Sequence, residues 1–180
     1  MIVRKFEQKY GNMKQLLLQY ASYNLWANEI VSDKLSSLPP DVLHENMQDS
    51  FGSIFKTVIH LWDVEELWWH RMQGTSLDEW PGINFTGDFS ELKKSLLSIS
   101  SRWLQWIKKV ETNGFERIYD YKNSKGESFR QPLSEVILHL FNHQTFHRGQ
   151  VIVMLRQNGV KEIPPTDFII FSRKEQLEKK

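Results

Sequence analysis

Apolar positions recur at helical spacing along four stretches of the chain, separated by segments rich in Pro, Gly and polar residues. The first predicted helix covers roughly 12–38. Leu17, Tyr20, Asn24 and Ala27 share one of its faces, Asn12 is the expected N-cap, and Pro39-Pro40 forbid continuation. The second covers roughly 50–74, capped by Ser50 or Ser53, with Ile54, Val58, Leu61, Val64 and Leu67 facing inward and Trp62, Trp68 and Trp69 widening the stripe. The third, roughly 88–113, carries Leu92, Leu96, Ile99, Trp103, Trp106 and Val110 and stops at Asn113-Gly114. The fourth, roughly 132–159, opens with Pro132 in its first turn and turns Val136, Leu140, His143, His147, Gln150 and Met154 to the core.

Between the third and fourth helices the period changes. Ring and polar residues alternate over roughly 116–131 around Asn123-Ser124-Lys125-Gly126, which predicts a β-hairpin whose Tyr119, Tyr121 and Phe129 cover one end of the bundle. The segments 39–49 and 75–87 read as loops, and the aromatic run Phe168 to Phe171 should pack back on the bundle or form a dimer contact. The pattern as a whole predicts an all-α four-helix bundle with a small hairpin, one domain over 1–180.

Composition narrows the chemistry. Seven Trp and eleven Phe supply large rings for a core in 180 residues. The net charge is +1, with basic residues scattered among acidic ones, so no basic patch calls for nucleic acid. With no Cys, disulfides, thiolate metal sites and a cysteine nucleophile are excluded, and any metal must be held by nitrogen and oxygen. The N-terminus lacks a signal-type apolar region, and no apolar run approaches the ~20 residues that span a bilayer, so a soluble cytoplasmic protein without membrane partners is the expectation.

The fourth helix holds the candidate chemistry. His139, His143 and His147 rise at four-residue steps, each ring turned only about 40° from the last. A lone histidine on such a face is usually a satisfied core residue, but a pair at this spacing can share one divalent ion. A third ligand must then come from another element, and His60 lies near the middle of the second helix, beside its apolar face. His139 is read as a pocket residue; His44 and His70 are read as exposed or interfacial. Gln150, Asn142 and Asp63 are candidate acceptors for the remaining ring N–H groups. Arg148 should pair with an acidic residue of a neighbouring helix, and Gly149 should permit close helix approach.

The run NHQTFHRGQ at 142–150 resembles the signature of the DinB/YfiT-like superfamily of metal-binding four-helix bundles. Weaker matches are YNLWANEIV from Tyr23, LRQNGV, and PPTDFIIF from Pro164. Carried over by position, the resemblance implies a divalent metal held by His60, His143 and His147. Trp26 and Asn28 fall where the family keeps a Trp-Ala-Asn run near the site, although by themselves they read as core packing and a solvent-facing amide.

Three imidazoles leave an ion open to solvent or substrate, the arrangement of catalytic rather than structural sites. Enzymes of the superfamily transfer low-molecular-weight thiols or use them in isomerisation, so the resemblance implies a metal-dependent thiol S-transferase acting on small molecules, with no catalytic residue assigned beyond the ligands. The alternatives are a metal-dependent hydrolase, against which stands the missing HExxH pattern, and a non-catalytic metal or small-ligand binding protein of a stress response. Zinc or nickel leads the expected metals, with iron, cobalt, manganese and copper also compatible. A homodimer is the expected assembly.

Overall fold

The structure, a computed structural model, describes residues 2–47, 51–75, 77, 79–123 and 125–178, with the backbone alone for 2–12 and 178. Four long helices dominate: α1 (Ile2–Ser36), α3 (Ile54–Met72), α4 (Phe89–Lys109) and α5 (Leu133–Gln157). Two shorter ones, α2 (Pro40–His44) and α6 (Phe168–Glu178), flank them. α1 and α3 each pack against both α4 and α5, which makes the square of a four-helix bundle. The all-α class and the hairpin agree with the sequence pattern.

Several boundaries follow from local chemistry. Ser53 caps α3, accepting from the Lys56 N–H at 3.2 Å, while the alternative Ser50 lies outside the described residues. Asp88 opens α4 with a reciprocal capping box to Glu91. Asn12 is not a cap: the helix begins at Ile2 and runs through it, because the preceding VRKFEQKY is rich in helix-forming Arg, Lys, Glu and Gln. The segment expected as loop 39–49 contains α2, with Pro40 at its first position and buried Leu43 reaching the core. α4 ends at Lys109, and Asn113-Gly114 lie in a following 3-10 turn.

Strands β1 (Ile118–Lys122) and β2 (Ser128–Pro132) pair antiparallel with Tyr121 opposite Phe129. Gly126, at φ +81°, supplies the left-handed residue that closes their turn, and the Tyr121 ring lies 5.0 Å from Trp68, edge to face. The tail packs back on α1: Phe168 and Phe171 meet Tyr20, Tyr23 and Trp26, and the Tyr23 hydroxyl donates to the Thr166 carbonyl at 2.7 Å. Among the described residues, no helix is long and apolar enough to cross a membrane.

The apolar core falls into two main clusters. One gathers Leu17, Trp68, Ile99, Trp103, Ile107, Phe115 and Phe141 toward the hairpin end; the other gathers Leu35, Ile54, Val58, Leu92, Val151 and Met154 toward α2. Between them lies a buried polar layer to which every long helix contributes: Asn24 and Asn28 from α1, Glu65 from α3, Ser100 from α4, and Gln144 and Arg148 from α5. The three histidines sit at this level.

Candidate metal centre

His60 lies near the middle of α3, and His143 and His147 near the middle of α5. A side chain bonds these two helices at the same level: Gln144, directly after His143, donates its Nε2–H to the carbonyl of Leu61, directly after His60, at 2.8 Å. This fully buried amide fixes the register of α5 on α3 and brings the rings together. His143 Nε2 stands 3.3 Å from His60 Nε2 and 3.0 Å from His147 Nε2, and one nitrogen from each of the three rings lies within 4.8 Å of the others. The two measured separations approach the ~3.3 Å tetrahedral edge implied by zinc–nitrogen bonds of ~2.0–2.1 Å. His60, His143 and His147 are thus brought together, whereas His44 is exposed against Phe55 and His70 bonds Thr75 at the C-terminus of α3.

The surroundings keep two of the rings neutral. Burial, reinforced by His147, lowers His60 to about 4. Burial, then His147, His60 and His139, lowers His143 to about 3. Both therefore keep a lone pair at neutral pH, as a metal ligand requires. His147 is buried, and its Nδ1–H donates to Gln150 Oε1 at 2.5 Å, which turns Nε2 toward the other two nitrogens as an acceptor. Gln150 is the orienting partner the sequence offered. Asn142 is exposed, and the Nδ1 atom of His143 is buried without a hydrogen-bond partner.

Asp63 has another task. Its Oδ1 accepts from the Gly82 N–H at 2.7 Å and so ties the 75–87 segment to α3. Only glycine fits there, since a Cβ at position 82 would stand 2.1 Å from an Ile59 methyl and 2.5 Å from Asp63 Oδ2. The tie holds Trp80 beside His60, with ring centroids 6.2 Å apart, while Phe51 stacks on His60 at 4.2 Å. These rings and Asp63 line an open cleft of about 260 Å³ that reaches the face of His60. Burial raises the Asp63 carboxyl to about 6, opposed by the Gly82 N–H and assisted by Glu66.

The polar layer links all four long helices through side-chain hydrogen bonds. Glu65 accepts from Asn24 Nδ2 at 2.9 Å, from Asn28 Nδ2 at 3.3 Å and from the Ser100 hydroxyl at 2.9 and 3.0 Å. Arg148 donates to Asn24 Oδ1 at 2.6 Å and Asn28 Oδ1 at 2.8 Å. Arg148, expected to pair directly with an acidic residue, is instead bonded to two amides that link it to Glu65. Asn28 is 1% exposed and is no solvent-facing amide. Gly149 does not serve close packing either, because a Cβ there would meet nothing within 4 Å. The signal for Glu65 was its place on the Val58, Leu61, Trp68 face, where a solvated acid does not belong.

Gln150→Leu should weaken metal binding about 10–100-fold by freeing the His147 ring, with little effect on folding. Competition with a metal-indicator dye measures this, and unchanged affinity would remove Gln150 from the centre.

The DinB family model matches residues 13–179. The chain is 25% identical over 166 residues to Protein DinB of Bacillus subtilis (strain 168), covering 88% of this chain and 95% of that protein. A DinB-like protein from Bacillus cereus ATCC 10987, known from a crystal structure, superposes with a TM-score of 0.65 at 18% identity, over 83% of this chain and 94% of that one. With a family model spanning nearly its whole length, the chain belongs to the DinB family.

Proposed function

We propose that the protein is a divalent-metal-dependent thiol S-transferase acting on small molecules at the His60, His143, His147 centre. The observation that carries this reading is the convergence of three imidazole nitrogens from two helices beside an open cleft, with no carboxylate in the set among the described residues. The donor chemistry fits a borderline divalent ion such as zinc or nickel, in keeping with neutral imidazoles and a hydrogen bond that fixes one tautomer. Such an ion supplies Lewis acidity, lowering the pKa of an incoming thiol near neutral pH.

The chain's own residues do the rest. His60 and His143 stay unprotonated well below neutral pH because they are buried. Gln150 orients His147, and Phe51 and Trp80 flank the open approach to His60 with apolar rings. The transfer forms one carbon–sulfur bond at an electrophilic carbon. The leaving group departs with its electron pair, and the thiol proton passes to solvent.

One observation favours a second reading. Asp63 shares the cleft with His60 and is raised to about 6, in the range of a general base for metal-assisted hydrolysis. One set of assays separates the two. Untagged protein loaded with zinc or nickel should couple simple thiols to 1-chloro-2,4-dinitrobenzene, and chelation should abolish the excess rate over the uncatalysed reaction. Ester hydrolysis without thiol that is lost in Asp63→Asn would instead assign the hydrolase. Absence of both activities in metal-loaded protein would leave a binding protein.

A further inference from the structure

A second and larger cavity, about 670 Å³, opens beside the cleft of His60, and Trp80 forms part of the wall of both. Leu67 and Arg71 project into it from α3, and Tyr121 and Lys122 from the hairpin. Arg71 follows His60 by eleven residues, so it lies on nearly the same face, about 16 Å farther along the axis. Long helical side chains lean toward the N-terminus, and the greater reach of arginine brings the guanidinium to roughly 13 Å from the His60 imidazole. Along the same line stands His139, its ring 5.5 Å from Trp68 and 6.1 Å from His143.

The state of Arg71 is unusual. Its guanidinium carbon lies 4.7 Å from the centroid of Trp68 and 5.7 Å from that of Tyr121. Packing against rings engages the flat face of the group and leaves its in-plane N–H edges free for a forked acceptor. Among the described residues no carboxylate lies within ion-pair distance of it. Among the described residues the one acid lining the cavity, Asp120, is taken by Arg130 at 2.9 Å, and Lys122 adds a second cation at the rim. Partial burial also pushes the guanidinium below its ordinary range, opposed by Tyr121. A half-buried cation with free donors and no counter-anion among the described residues is arranged to receive one from a ligand.

We propose that Arg71 is a specificity-determining residue that binds the remote carboxylate of an elongated substrate whose reacting end lies at the three histidines. The anion site itself stands on the cavity geometry alone. Only the statement that one molecule bridges both places rests on the function proposed above.

The test has two arms. In the first, metal-free protein is titrated with glutarate, and its melting temperature and calorimetric heat are followed. Glutarate should bind the parent, lose roughly tenfold or more in affinity to Arg71→Met, and be partly restored in Arg71→Lys. Equal binding to parent and Arg71→Met, or no binding to either, overturns the anion site. Binding of inorganic phosphate as tight as that of glutarate overturns its assignment to carboxylates. In the second arm, cobalt-loaded protein is titrated with 6-mercaptohexanoate and with 6-mercaptohexanol, reading the sulfur-to-cobalt charge-transfer band. The acid should bind roughly tenfold more tightly than the alcohol, and Arg71→Met should bring the ratio to about one. A ratio unchanged by Arg71→Met overturns the bridge between the two places. Absence of any band with either thiol refutes the thiol reading and the bridge, while the glutarate arm still decides the role of Arg71.

Discussion

His143→Ala, purified without a tag, should retain less than a tenth of the divalent metal bound by the parent, as measured by elemental analysis after loading and desalting. His143 is the hub of the trio, its Nε2 standing within 3.3 Å of both of the other ring nitrogens. Removal leaves a pair of imidazoles from different helices, and two neutral donors without a carboxylate hold divalent ions far less tightly. The same substitution should make the metal-free protein more tolerant of acid. Burial holds the folded-state pKa of His143 at about 3, below its ordinary value of 6.5. The unfolded chain therefore takes up the proton first as the pH falls. Stability is full above about 6.5 and is lost as pH falls toward the folded-state value, a slope that vanishes when the ring is removed. The partly solvated setting reduces the effect to roughly 2–3 kcal/mol of lost acid sensitivity between pH 7 and pH 4. Glu65 titrates in the opposite sense and cancels when variant and parent are compared. Chemical denaturation of chelated protein at both pH values supplies the measurement. Full metal retention by the variant would dismiss the centre, and parallel pH profiles would dismiss the buried neutral ring.

The parts of this molecule that could be read from its sequence are those governed by periodicity. Ile54, Val58, Leu61 and Val64 face the core of α3, as Leu92, Leu96, Ile99 and Trp103 do that of α4, because a 3.6-residue stripe has only one way to be buried. The candidate centre was legible for a related reason: a four-residue histidine step on one helix needs a partner from another, and His60 was suitably placed. Pairing across helices left weaker traces. Glu65 stands among other charged residues in WDVEELWW, and only its angular position, in line with Leu61 and Trp68, marks it as internal. The amides of Asn24 and Asn28 become necessary only when Glu65 and Arg148 are seen to face them from opposite helices. Nor did sequence spacing disclose that Asp63 anchors a loop, since its partner is the backbone N–H of Gly82, nineteen residues away.

The polar layer makes the second large prediction. Arg148 is 1% exposed, and its donors fill the acceptor oxygens of two buried amides whose own N–H groups serve Glu65. Arg148→Met would leave those oxygens unpaired and the acid without its cation. Breaking a buried charge arrangement from one side costs about 3–5 kcal/mol, which in a domain of this size lowers the melting temperature by roughly 10 °C. The loss should depend on pH in a defined direction. Burial raises Glu65 from 4.5 to about 7, against the pull of Asn24, Ser100, Arg148 and Asn28, and deleting Arg148 raises it further. A carboxyl raised on folding contributes stability that is full below its unfolded-state value and is lost as pH rises through its folded-state value. The penalty of Arg148→Met should therefore be smaller at pH 5, where Glu65 is protonated in parent and variant alike, than at pH 8, where the parent's carboxylate draws on Arg148 and the variant's cannot. Adding Glu65→Gln to Arg148→Met should recover about half of the deficit at pH 8 and little at pH 5, because the amide carries no charge to strand. Denaturant unfolding of parent, single and double variants at both pH values completes the cycle. A deficit independent of pH would mean that the acid and the guanidinium are not coupled through the two asparagines, and that Arg148 contributes packing alone.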